Sequence, residues 1–178
     1  IPGFVGPDGD GVSDAGSNYL NPAFAGWAAA VEAYRPTESL DASWTNAALA
    51  LGPATGDKFD VVSLGDLDAD QLATNAEPGS MVLRLAVPAA DEEGPDFALF
   101  ENGFSAGSPN WTYIELGYVE VSSDGTNFAR FPSVSMTPEF VGDYGPLNAR
   151  HLYNLLGKHI NAYGDCWGTP FDLSDLAC

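Results

Sequence analysis

The residues of this chain with the most chemical potential are carboxylates, and they fall in groups. Asp8, Asp10 and Asp14 form the first group, in which alternating aspartate and glycine lets carboxylates and backbone carbonyls converge on one point. The run Asp91-Glu92-Glu93-Gly94-Pro95-Asp96 is the second, and it delivers four carboxylates, Asp91, Glu93 and Asp96 foremost, directly before an apolar segment. The third, Asp66, Asp68 and Asp70, continues through Thr74 and Glu77 at the ligand spacing of an EF-hand loop, although Gln71 stands where that loop needs glycine. Flexible oxygen-rich loops of this kind suit a hard cation, so the expected ion is Ca2+. Each group also has a plainer use: a solvated arm, a solvent-facing turn, and a helix cap supplied by Asp68 or Asp70.

Glu101 stands apart from these loops. Period-two alternation puts it on the face shared by Phe97 and Leu99, and a buried carboxylate must be paired, protonated or metal-bound. It is therefore a candidate ligand inside the fold, or the holder of a bulge. Catalytic patterns are missing: the two histidines, His151 and His159, belong to no zinc-protease, nucleophile-elbow or dinucleotide motif. Asp172 and Asp175 could act as acid and base only if the fold set them on opposite sides of a sugar, and three residues apart they fit the cap of a final helical turn better. The expectation is a protein that is not an enzyme. Trp111, Trp167 and Tyr163, placed in or beside turns, offer ring faces on which a sugar or small ligand could stack.

The charge balance narrows the partners. With 25 acidic residues against 6 basic ones the net charge is −19, which excludes nucleic acid and anionic lipid surfaces, since both need clustered lysine and arginine. The longest apolar run, residues 24–31, is far too short to cross a bilayer, so no membrane insertion is expected. The chain opens at Ile1 without an initiator methionine, which fits a processed, exported protein placed outside the cell or on its surface. Cys166 and Cys178 would close a short loop worth about 3 kcal/mol if oxidised, within the chain or to another one; two buried free thiols are the alternative.

These residues must be positioned by short elements, because 20 glycines and 13 prolines in 178 residues favour strands joined by tight turns over long helices. The expected fold is mainly β, a single jelly-roll-like β-sandwich over 1–178 with one or two short helices and an N-terminal loop, 1–20, that is flexible or calcium-binding. Asn21 and Pro22 read as cap and first residue of a helix running to Tyr34, where Pro36 stops it. A short helix is expected over 71–76. Strands follow at 81–87, 97–102 and 111–121, and Ser123-Asp124-Gly125-Thr126 turns the last of these into a hairpin with 127–134. Leu152, Leu155 and Leu156 suggest a second helix over 147–156, ended by Gly157.

Three phrases of the sequence, Asp96 to Phe104, Glu115 to Phe128, and Gly168 to Leu173, resemble a family of bacterial secreted or cell-surface proteins that often carry C-terminal sorting signals. Phe24, Trp27 and Ala28 and the run Val62 to Gly65 fit the same pattern, so the resemblance spans most of the chain. The stretch Tyr118 to Phe128 is also similar to the galactose-binding-like, discoidin-type sandwich, a jelly roll that often holds a structural calcium and binds glycans through its loops. Asp165-Cys166-Trp167, inserted before Gly168, departs from the pattern. Charge, loops and resemblance together imply an exported calcium-binding structural protein whose copies assemble through acidic loops into a surface layer, matrix or filament. The alternative is a surface module whose partners are glycans or other small ligands.

Overall fold

A computed structural model describes residues 3–7, 18–20, 24–38, 40–139, 141, 142, 144–159, 161–163 and 167–176. Asp8, Asp10, Asp14, Asn21, Pro22, Cys166 and Cys178 lie outside the described residues. The chain is mainly β. In chain order the described strands are β1 (Gly3–Pro7), β2 (Asn18–Leu20), β3 (Ala28–Arg35), β4 (Ser80–Leu85), β5 (Phe97–Leu99), β6 (Phe104–Ser105) and β7 (Trp111–Tyr113). They continue with β8 (Glu120–Val121), β9 (Ala129–Arg130), β10 (Val134–Ser135), β11 (Leu147–Asn148), β12 (Leu152–Tyr153) and β13 (Trp167–Phe171). Helix is confined to α1 (Ala69–Ala73) and a few 3-10 turns. Contacts gather into two compact units, one made of 1–22, 54–58 and 89–178, the other of 23–53 and 59–88.

In the larger unit, a sheet of strand order β2-β1-β13-β5 is joined by a three-stranded sheet, β11-β7-β6, and by the β10-β12 and β8-β9 pairs. The core is aromatic. Phe171 and Phe97 face each other across the β13–β5 ladder with ring centroids 5.4 Å apart, and Phe131 meets both edge-on at 5.2 and 5.8 Å. Phe131 and Phe171 are fully buried, and Val119, Leu99, Val121, Leu156, Leu173 and Leu176 close around them. The expected Asp-Gly hairpin is present, with Glu120 opposite Arg130 and Val121 opposite Ala129. Asp124 builds its turn: one carboxylate oxygen accepts the N–H groups of Thr126 and Asn127, and these bonds hold its pKa far below the usual carboxylate value. The long strand expected over 111–121 is broken into β7, a single bridge at Gly117, and β8.

Two expected helices are strands or turns instead. Residues 28–35 form β3, paired with β4, and the sequence misleads because two bulges, between Ala28 and Ala30 and between Val31 and Ala33, insert extra residues. The exposed positions are consequently Ala29, Glu32 and Arg35, every third residue, a spacing that imitates a helix on a strand. Residues 147–156 run as β11, a 3-10 turn over Ala149–His151 capped by Asn148, and β12. Leu152 and Leu155 are buried there because the chain turns at Asn154 and Gly157, both at positive φ, and not because a helical face repeats.

In the smaller unit the β3–β4 ribbon carries Glu32 and Arg84 as an exposed ion pair at 2.6 Å. Tyr34 donates its hydroxyl to the Ser63 carbonyl at 2.6 Å, and Thr37 donates its N–H to Leu64. The apolar face of β4 ends at Leu83, since Leu85 and Val87 are exposed. Thr37 is buried, yet its hydroxyl finds no partner among the described residues, and a side-chain carbon at Gly65 would lie 2.0 Å from that oxygen. Two opposite outcomes are expected in thermal denaturation. Thr37→Val removes an orphaned hydroxyl and leaves stability unchanged or raises it by up to about 1 kcal/mol. Gly65→Ala drives a methyl group into Thr37 from a left-handed backbone and costs about 1–3 kcal/mol.

Candidate metal centre

The β13–β5 register decides which carboxylates meet. Thr169, Pro170 and Phe171 lie opposite Leu99, Ala98 and Phe97, and just beyond the ladder Asp96 donates its N–H to the Phe171 carbonyl, which brings its carboxylate near that of Asp172. Like charges held this close repel each other. Asp91 joins them from the loop before β5, and one carboxylate oxygen from each of the three lies within 4.8 Å of the others. Among the described residues this is the group of three or more possible ligands that converges so closely.

Each aspartate is held by its surroundings. Asp96 donates its N–H to the Phe171 carbonyl, while its two oxygens accept the N–H of Glu92 at 2.9 Å and that of Leu173 at 2.7 Å. It thereby ties the acidic loop to the turn that follows β13. Asp172 accepts both the N–H and the hydroxyl of Ser174 on one oxygen. Asp91 is exposed. A carboxylate offers about four lone-pair directions, so these bonds leave each group able to face an ion as well. Three aspartates with a partly buried floor make a donor set that fits a hard cation.

The other expected ligands are placed elsewhere. Glu93 is an exposed loop residue outside the trio. Asp68 caps α1: its carboxylate accepts the Gln71 N–H while the Gln71 side chain accepts the Asp68 N–H, a capping box in which Gln71 is used for its amide. Asp66 and Asp70 are exposed beside it. Glu101 takes no part in the trio and accepts the Gly103 N–H at 3.0 Å. Asp175 accepts the Tyr153 hydroxyl and the Asn154 amide, while Asp172 accepts from Ser174. Asp172 is the member of the trio that the sequence did not offer as a ligand, and only the alignment of Phe171 with Phe97 could have pointed to it.

A second feature of the larger unit is a shallow hollow of about 300 Å³ lined by Phe104, Ser105, Ala162 and Tyr163. Phe104 and Tyr163 meet edge to face at 5.3 Å, Tyr113 lies 5.1 Å from Phe104, and the Lys58 ammonium sits 4.5 Å from the Tyr163 ring centre. Of the three aromatics singled out from the sequence, Tyr163 alone lines this hollow; Trp111 is exposed on β7 and Trp167 is half-buried on β13. No protein-family model matches the chain, and no match emerges among curated proteins or solved structures.

Mutation without metal shows which members of the trio hold the structure together. Without added metal, Asp96→Ala orphans two N–H groups and is expected to cost about 2–4 kcal/mol, whereas Asp91→Ala stays within about 0.5 kcal/mol. Urea denaturation in chelator checks both values.

Proposed function

We propose that this chain is an exported, calcium-braced β-sandwich of a cell-surface or extracellular assembly. The observation that carries the reading is the convergence of Asp91, Asp96 and Asp172, one carboxylate oxygen from each lying within 4.8 Å of the others. Calcium takes six to eight oxygen ligands, and three carboxylates with neighbouring carbonyls or waters can satisfy it. The ion would relieve repulsion at the end of the core ladder and lock the acidic loop to the turn after β13. The overall charge of −19 supports assembly through ions, because copies that otherwise repel can share divalent cations between acidic loops. The resemblance to bacterial surface proteins points the same way.

The hollow favours a second reading, a carbohydrate-binding surface module. Phe104 and Tyr163, at an interplanar angle of 79°, make a corner and not a slot. A corner takes the C–H face and edge of a sugar ring better than a flat aromatic ligand. Titration of a glycan panel against the wild type and Tyr163→Ala tests it, and equal response of the two proteins removes it.

The calcium reading is tested by melting curves and light scattering with calcium and with chelator. Calcium at a hundred times its dissociation constant adds about 2.7 kcal/mol, which for a chain of this size raises the melting temperature by roughly 5–10 °C. Asp172→Asn should abolish that rise, and particle size should fall on chelation. A melting temperature indifferent to chelator, with no stoichiometric calcium in the purified protein, overturns the reading.

A further inference from the structure

Backbone strain singles out two tyrosines. Of the described residues other than glycine, five have positive φ: Asn75, Asn110 and Asn154, then Tyr144 at 60° and Tyr163 at 56°. Asparagine enters this left-handed region readily, whereas a large aromatic residue is held there at a cost and only by its surroundings. Tyr163 is a wall of the hollow. Tyr144 belongs to the same compact unit and is 96% exposed, so its ring projects from the surface and meets no hollow of its own chain. Packing within the chain therefore gives no reason for an aromatic side chain at this strained position.

The turn that carries Tyr144 is braced. Gly145 donates its N–H to the Gly142 carbonyl at 3.0 Å and closes the turn beneath the ring. A side-chain carbon on Gly145 would lie 2.4 Å from the Val141 side chain, so the turn is closely packed at its base, and Pro146 fixes the backbone that leaves it. A side chain presented in this way loses little backbone freedom when it docks.

The hollow offers what such a ring needs. Phe104 and Tyr163 stand at 79°, so an incoming ring can lie against one and meet the other edge-on. Ser105 Oγ accepts the Gly107 N–H at 3.2 Å, which leaves its own proton to donate to an incoming phenol oxygen. Charge agrees with shape: Lys58, one of six basic residues in the chain, brings its ammonium to the Tyr163 ring, while Glu139 and Asp143 precede Tyr144 in the sequence.

We propose that Tyr144 of one copy docks in the hollow of the next, between Phe104 and Tyr163, as a head-to-tail contact between copies of this chain. Projecting ring and hollow are different surfaces, so each contact leaves one of each unfilled and the series grows as a filament or closes as a ring. The contact rests on the assembly part of the reading above but not on calcium, and it gives the hollow a second copy as occupant in place of a glycan. One ring buries far less than the roughly 1,000 Å² of a stable interface. A single contact is therefore weak, with a dissociation constant on the order of a millimolar, and repetition along the assembly strengthens it.

The test uses the full chain in chelator, which separates this contact from the calcium site. Sedimentation should show wild-type self-association growing up to about 1 mM protein, while NMR shows the Ser105 amide and Ala162 methyl signals moving with concentration. Tyr144→Gly relieves the left-handed strain, so its melting temperature should be unchanged or higher while association falls at least about tenfold. Ser105→Trp, which fills the hollow, should lose association to the same degree; Tyr163→Ala replaces it should that variant fail to fold. Mixing decides the geometry: Tyr144→Gly keeps only a hollow and Ser105→Trp only a projecting ring, so together they should form one-to-one pairs that grow no further. A wild type that stays monomeric, a Tyr144→Gly variant that associates like the wild type, or a mixture that remains monomeric overturns the contact. A glycan that moves the Ser105 and Ala162 signals of a chain that does not self-associate gives the hollow to a sugar and overturns it too.

Discussion

The alignment of Phe97 with Phe171 across β5 and β13 governs most of what the larger unit can do. Burying an aromatic ring contributes about 1.5–3 kcal/mol and a well-set aromatic pair about 0.5–1.5 kcal/mol more, and here three phenylalanines share one contact. Two unit charges 4.8 Å apart repel by about 1 kcal/mol in water and about 3–4 kcal/mol at an effective dielectric of 20. The core gain exceeds that cost, so the ladder holds with Asp96 and Asp172 converging just beyond it. Slipping either strand by one residue would turn its ring out of the core.

A single stretch, Asp96 to Phe104, then distributes several roles. Asp96 ties the acidic loop to the turn after β13, Phe97 enters the core, and Glu101 turns back onto Gly103. Asn102 donates to the Lys58 carbonyl, Lys58 sits over the Tyr163 ring, and Phe104 and Tyr163 wall the hollow. Acidic trio, half-buried Glu101 and aromatic hollow are thus separated by a few residues of one backbone.

The sequence revealed what is local. The Asp-Gly turn with its strands, the acidic loop before β5 and the capping role open to Asp68 are all set by neighbours within a few residues, and all appear in the fold. It failed where distant pairing rewrites a local pattern. Bulges in β3 converted strand alternation into a period of three, and the leucines of 152–156 owe their burial to turns at Asn154 and Gly157. Asp172 looked like a cap and is one, through Ser174; its place near Asp96 depends on a strand partner some seventy residues away.

An excess of 19 negative charges does not by itself call for metal. Arg84 pairs with Glu32 and Arg130 with Glu120, both exposed and worth little. Several anions have another device: Asp41, Asp68, Asp124 and Asp172 each accept N–H groups from the turn or helix they start, so the backbone supplies the positive ends of its own dipoles. Such pairing costs no lysine or arginine and lets a chain with six basic residues remain folded. Where carboxylates converge, as at Asp91, Asp96 and Asp172, a backbone donor can serve one oxygen but cannot stand between two. The case for calcium therefore rests on the geometry at Asp96 and Asp172, and the net charge bears on how copies of the chain meet.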